Sequence, residues 1–284
     1  MTPEALGALV GHVATQRSVA PRSEPSDADP AIVPGPLLFA RYAYPPNSLG
    51  YCGPRDSASL LGYGNERLVD GGLRQLAKGF EGAYPYLKLI ARATGIPDPL
   101  DRRVVEAYWL GNELLDRIDF RLFGNSLVDR FRRRAGDGWS QLAEAIPVGA
   151  VPNHAFHVFG VYPWVGMLRG ERAEPLQVLE QCRIRWGEVV TTTGDQVAVL
   201  SRPLLFDGLR LSLGEPQLET ATLAIDGAGL AGELRPGDHV SLHWHWVCDR
   251  LSRRQLANLR RQTMRQLHIT NDLVSHPGPA VAMS

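Results

Sequence analysis

Two stretches decide how this chain folds: Gln181-Cys182-Arg183-Ile184-Arg185-Trp186-Gly187-Glu188-Val189-Val190 and Pro236-Gly237-Asp238-His239-Val240-Ser241-Leu242-His243. The first opens, and the second closes, a region of short runs enriched in β-branched or aromatic residues, at 183–190, 196–201, 209–213, 219–225 and 239–247. Turn-forming pieces separate them: Thr193-Gly194-Asp195, Phe206-Asp207-Gly208, Asp226-Gly227 and Arg235-Pro236-Gly237-Asp238. Five short strands with such turns predict a small barrel. An amphipathic helix over 251–269 follows, with Leu256, Leu259, Met264 and Leu267 on its apolar side. A cysteine starts this β unit and a histidine falls near its end. A thiolate and an imidazole that meet in space supply either a metal site or a nucleophile.

Upstream the periodicity is helical. Leu73, Leu76, Phe80, Tyr84, Leu87 and Ile90 recur at three- and four-residue steps, and Gly95 is placed to cap the helix. Pro99 opens a second helix carrying Val104, Tyr108, Leu115 and Ile118, and shorter helices are expected over 125–134 and 138–146. The stretch 151–168 is apolar and aromatic and fits a buried helix or extended chain equally. A short helix is expected over 4–16, and Pro21, Pro25, Pro30, Pro34 and Pro36 make 18–36 a poor core former. The predicted fold class is therefore α+β: a flexible segment 1–36, an all-helical domain 37–177, and a five-stranded barrel with a terminal helix over 178–284.

Composition narrows the function classes. Thirty basic residues balance thirty acidic ones among 284, so no global field points to nucleic acid or anionic lipid. No apolar run reaches the length of a membrane span. Three unpatterned cysteines, Cys52, Cys182 and Cys248, and a start without a signal-peptide pattern point to the cytoplasm. No phosphate loop, dinucleotide fingerprint or nucleophile elbow is present.

Residues 181–267 resemble the HypC/HupF hydrogenase assembly chaperones. Those small proteins begin Met-Cys and continue through an apolar stretch with a Val-Val pair. They then form a five-stranded barrel of the oligonucleotide-binding (OB) type, reach a Gly-Asp-Tyr-Val-Leu-Val-His segment and end in a helix. Here Gln181-Cys182, Gly187, Val189-Val190, Gly237-Asp238-His239-Val240-Ser241-Leu242-His243 and Asp249-Arg250-Leu251 stand in that order. Cys182 is internal rather than N-terminal, and Trp186 stands where the family has proline. The chain as a whole also resembles an uncharacterised actinobacterial family found near hydrogenase genes. The resemblance implies a carrier of iron, as an Fe(CN)2CO fragment, bound through Cys182 with help from His243. The implied partner is the hydrogenase large-subunit precursor or another maturation protein, with the helical domain acting as a fused partner.

The residues offer further candidates. On a continuous strand His243 and His245 share a face and can chelate one metal, with His239 further back, while Cys248 points to the core. Cys52 lies in a glycine-flanked loop, and His154 and His157 at i, i+3 share a face if helical. These three frame a different class of function, a cofactor-free enzyme with Cys52 as nucleophile and His154 or His157 as base. A third possibility is a non-catalytic module whose barrel only docks a partner; separately, the arginines of the last helix form a basic stripe that can dock an acidic partner. Arg183 and Arg185 beside Cys182 are expected to favour its thiolate.

Overall fold

The computed structural model describes residues 33–135, 149–161, 164–170 and 173–275. The expected helices over 4–16 and 138–146 and most of the segment 1–36 lie outside the described residues. The chain starts with α1 (Gly35–Ser48), α2 (Ser57–Glu66), α3 (Gly71–Lys78), α4 (Tyr84–Thr94), α5 (Arg102–Trp109) and α6 (Phe120–Ala135). A three-residue helix α7 (His154–Phe156), a π-helical turn (His157–Val161) and α8 (Glu174–Cys182) lead into the strands. The described residues of the 151–168 stretch are thus neither one buried helix nor extended chain.

Local chemistry sets these helices. Asp56, Asp70 and Asp101 are N-caps whose carboxylates accept from Ser59, Leu73 and Arg103 amides. Gly95 ends α4 at φ 73°, as its position predicts. The helix expected from Pro99 starts later and ends sooner, because Asp101 caps it and Gly111 turns the chain at φ 86°. α1 starts at Gly35, so residues 35 and 36, expected in the N-terminal segment, belong to this helix. A β-carbon on Gly35 would sit 1.9 Å from the Leu100 carbonyl, and only glycine lets α1 approach the start of α5 so closely. Gly35 to Asn47 are all buried. A helix buried all round is a core element, and α1 packs on α2, α3, α5 and two strands.

The strands are β1 (Arg185–Thr193), β2 (Gln196–Ser201), β3 (Leu204–Phe206), β4 (Leu211–Leu213), β5 (Gln217–Thr222), β6 (Ala224–Ile225), β7 (Ala228–Gly229), β8 (His239–His243) and β9 (Trp246–Arg250). Five of them run in the order β1-β2-β5-β9-β8 and back to β1. Every seam is antiparallel except β5–β9, which is parallel and consists of the single pair Thr222↔Trp246. The ring is therefore closed at one point there rather than zipped. This cyclic order is OB-like, and the fold is α+β, with helices first, then the five-stranded sheet, then the helix α9 (Arg253–Ser275). Val189, Val197, Val199, Ala221, Val240, Leu242 and Val247 alternate inward to fill the barrel.

Three expectations differ from the structure. The 209–213 run, expected as a barrel strand, forms β4 and pairs with β3 in a separate two-stranded sheet, so the fifth barrel strand comes from the splitting of 239–247. α8 crosses the proposed 177/178 division, so Cys182 ends a helix instead of starting a strand. The expected 239–247 strand is a hairpin, because the chain reverses at Trp244-His245 with Trp244 at φ 54°. Met264, placed on the apolar side of the last helix, is 54% exposed. The helical layer and the barrel share one hydrophobic cluster, in which Phe39, Tyr42, Trp109, Ile184, Trp246, Cys248 and Leu259 all belong. Among the described residues no helix is long and apolar enough to cross a membrane.

Polar contacts lock α1 to the hairpin. Arg41 Nη1 donates to Asp249 Oδ1 at 2.6 Å, and the Tyr42 hydroxyl meets Ser241 Oγ at 2.8 Å. Burial raises the Asp249 carboxyl above its ordinary range despite Arg41, so desolvation outweighs attraction in this pair. Removing one partner strands a buried charge. Asp249→Ala is expected to lower unfolding free energy by about 3–5 kcal/mol, and Arg41→Met/Asp249→Leu by much less. Urea titration of both variants checks this; equal losses would contradict it.

Candidate metal centre

The end of α8 and the β8–β9 turn are tied together by hydrogen bonds. The Trp244 amide donates to the Gln181 carbonyl at 2.7 Å, and Arg185 Nη2 donates to both the Trp244 carbonyl and, at 3.2 Å, Gln181 Oε1. These bonds bring Cys182 beside His243. From the helical side, α7 adds His154. One ligand atom from each of His154, Cys182 and His243 lies within 4.8 Å of the other two.

Each side chain is held by identifiable contacts. His243 is fully buried, and its Nδ1 lies 2.6 Å from the Tyr42 carbonyl. A carbonyl only accepts, so Nδ1 carries the hydrogen and Nε2 presents a lone pair. Nε2 is buried without a hydrogen-bond partner. A ligating histidine characteristically donates its other N–H to a carbonyl in this way. His154 contacts the Cys182 carbonyl through Nε2 at 2.9 Å and the Tyr108 hydroxyl through Nδ1 at 3.4 Å. By the same logic its Nε2 carries the hydrogen, and Nδ1 is the nitrogen left with a lone pair. The Trp109 ring packs on both imidazoles, at 4.7 Å from His154 and 5.8 Å from His243.

Burial dominates the electrostatics. It lowers the His154 imidazole to about 4 and holds His243 well below its ordinary range, with His154 adding to the effect. It also pushes the Cys182 thiol up, and Cys52 nearby raises it further. The expected thiolate stabilisation by Arg183 and Arg185 does not occur. Arg183 is committed to Glu180 and the Arg202 carbonyl, and Arg185 to Glu219. A dehydrated thiol and two neutral imidazoles release one proton on binding a cation and form a soft-to-borderline S/N donor set.

The other expected residues fall elsewhere. His245 is exposed, because the turn takes it off the face that His243 occupies. The face that His243 occupies is covered by α1. Cys248 is fully buried, as expected. Cys52 lies between α1 and α2 in a loop fastened by Asn47 Nδ2, which donates to the Cys52 and Pro54 carbonyls at 2.7 and 2.6 Å. The Tyr51 ring next to it packs at a tilt on Trp244, with centroids 4.2 Å apart. Burial lifts the half-buried Cys52 thiol to about 12, the opposite of what an activated nucleophile needs. His157 Nδ1 lies 3.4 Å from the Tyr86 hydroxyl. The spacing of His154 and His157 marks the right segment but couples His154 to Cys52 instead of Cys182. Of the arginines on α9, Arg254 pairs with Glu106 and Arg261 with Asp116, both at 3.5 Å, so part of the stripe faces the helical layer.

A family model matches residues 31–277. The chain belongs to DUF6390, a family of unknown function. The DUF6390 match spans the helical layer, all nine strands and α9 together. No curated protein and no solved structure gives a significant match.

The depressed histidines make a pH prediction. The unfolded chain takes up protons near pH 6.5 that folded His154 resists until about 4, so stability falls as pH drops through this window. His154 alone accounts for roughly 3 kcal/mol of that loss. His154→Gln is expected to flatten the stability–pH curve between these values, measured by denaturant titration at several pH values.

Proposed function

We propose that this protein is a cytoplasmic assembly factor that carries an iron fragment to the precursor of a nickel–iron hydrogenase large subunit. The observation that supports this most directly is the convergence of Cys182 and His243 from opposite ends of the β unit, with His154 beside them. That pairing is what resemblance to the HypC/HupF chaperones implies, and an OB-like barrel is its implied frame. The donor set suits the cargo. A thiolate is a soft donor that matches low-spin iron, and the open His243 Nε2 lone pair is a second position for it. Three protein ligands leave further positions for groups that the iron brings with it. The helical layer acts as a fused partner: α1 supplies the carbonyl that orients His243, and α7 supplies His154.

Protein purified anaerobically from its native host, with the hydrogenase genes present, provides the test. Wild type is expected to carry iron with infrared bands in the cyanide and carbonyl stretching region, and Cys182→Ala to carry neither. Equal iron content and identical spectra for the two proteins would sink the proposal. His245→Ala is expected to load like wild type.

A further inference from the structure

The Tyr42 carbonyl lies inside α1, where helical carbonyls normally accept an amide from residue i+4. For Tyr42 that residue is Pro46, which has no N–H. The i+3 position, the donor in a tighter 3-10 turn, is Pro45. Tyr42 is therefore the residue of α1 whose carbonyl loses both of its local donors. A buried carbonyl left without a donor is costly, so it must find one elsewhere. The donor it meets is His243 Nδ1, at 2.6 Å and 201 residues away in sequence.

We infer that Pro46 is a positioning residue for the metal centre. By withholding an amide, it reserves the Tyr42 carbonyl for the Nδ1 hydrogen of His243. That bond fixes the imidazole in one tautomer and leaves Nε2 unprotonated, buried and without a hydrogen-bond partner, on a residue that clusters with Cys182 and His154. The sequence thus selects the ligating nitrogen through a missing donor in a distant helix. Pro45 serves the neighbouring carbonyl in the helical i+4 pattern, that of Arg41, whose side chain holds Asp249. The two prolines are therefore separable by experiment.

Pro46→Ala returns an amide to the Tyr42 carbonyl, and Pro45→Ala returns one to Arg41. Nitrogen-15 NMR of the imidazoles in the metal-free protein at pH 8 reads the tautomer of His243 directly. Pro46→Ala is expected to bring up the tautomer protonated at Nε2, whereas wild type and Pro45→Ala keep the hydrogen on Nδ1. Cobalt(II) affinity, followed by the thiolate charge-transfer band, is expected to fall by about 10- to 100-fold in Pro46→Ala, the range for loss of an outer-shell partner. An unchanged His243 tautomer in Pro46→Ala overturns the inference, as does an equal shift in both variants. Only the cobalt arm rests on the proposed ligand role of His243. If wild type and Cys182→Ala bind cobalt equally, that role fails, and the tautomer arm still decides what Pro46 does.

Discussion

The packing of α1 on the β8–β9 hairpin is the contact on which the rest of the molecule depends. α1 is buried on every side, so it has no solvent-facing stripe and must satisfy its polar groups within the protein. Successive residues do this against one hairpin: the Arg41 guanidinium on Asp249, the Tyr42 hydroxyl on Ser241 and the Tyr42 carbonyl on His243. Tyr44 adds an edge-on contact with Trp246 at 5.1 Å. Because both faces of β8 are then covered, His243 is dehydrated and stays neutral. One interface accounts for register, burial and protonation state together.

The barrel was the legible part of the sequence. Alternation in 196–201 and the glycine-bearing turns at 194, 208, 227 and 237 carry period and punctuation, and all four glycines adopt positive φ. Cys182 and His243 were legible as a pair through their order along the chain. Two things were not. The turn at Trp244-His245 lacks glycine, proline or asparagine, so nothing in composition separated β8 from β9, and His245 was placed on the wrong side. α1 carries no amphipathic signal because it is buried all round.

His154 illustrates a different limit. Its spacing to His157 marks a helical face, yet α7 is only three residues long before the π turn begins. Which neighbour it serves depends on the tie between the Gln181 carbonyl and the Trp244 amide, a contact between backbone atoms with no side-chain signature. Pairings set by main-chain bonds far apart in the chain leave little trace in residue types.

The shared hydrophobic cluster bears on modularity. A barrel excised at residue 178 would expose Ile184, Trp246, Cys248, Leu256 and Leu259 to water, an apolar patch that favours aggregation. It would also lose half of α8, the α7 imidazole and the backbone oxygen that orients His243. The β unit is thus not a portable cassette that a helical segment happens to decorate. The cluster of Cys182, His154 and His243 belongs to the joint between the two parts.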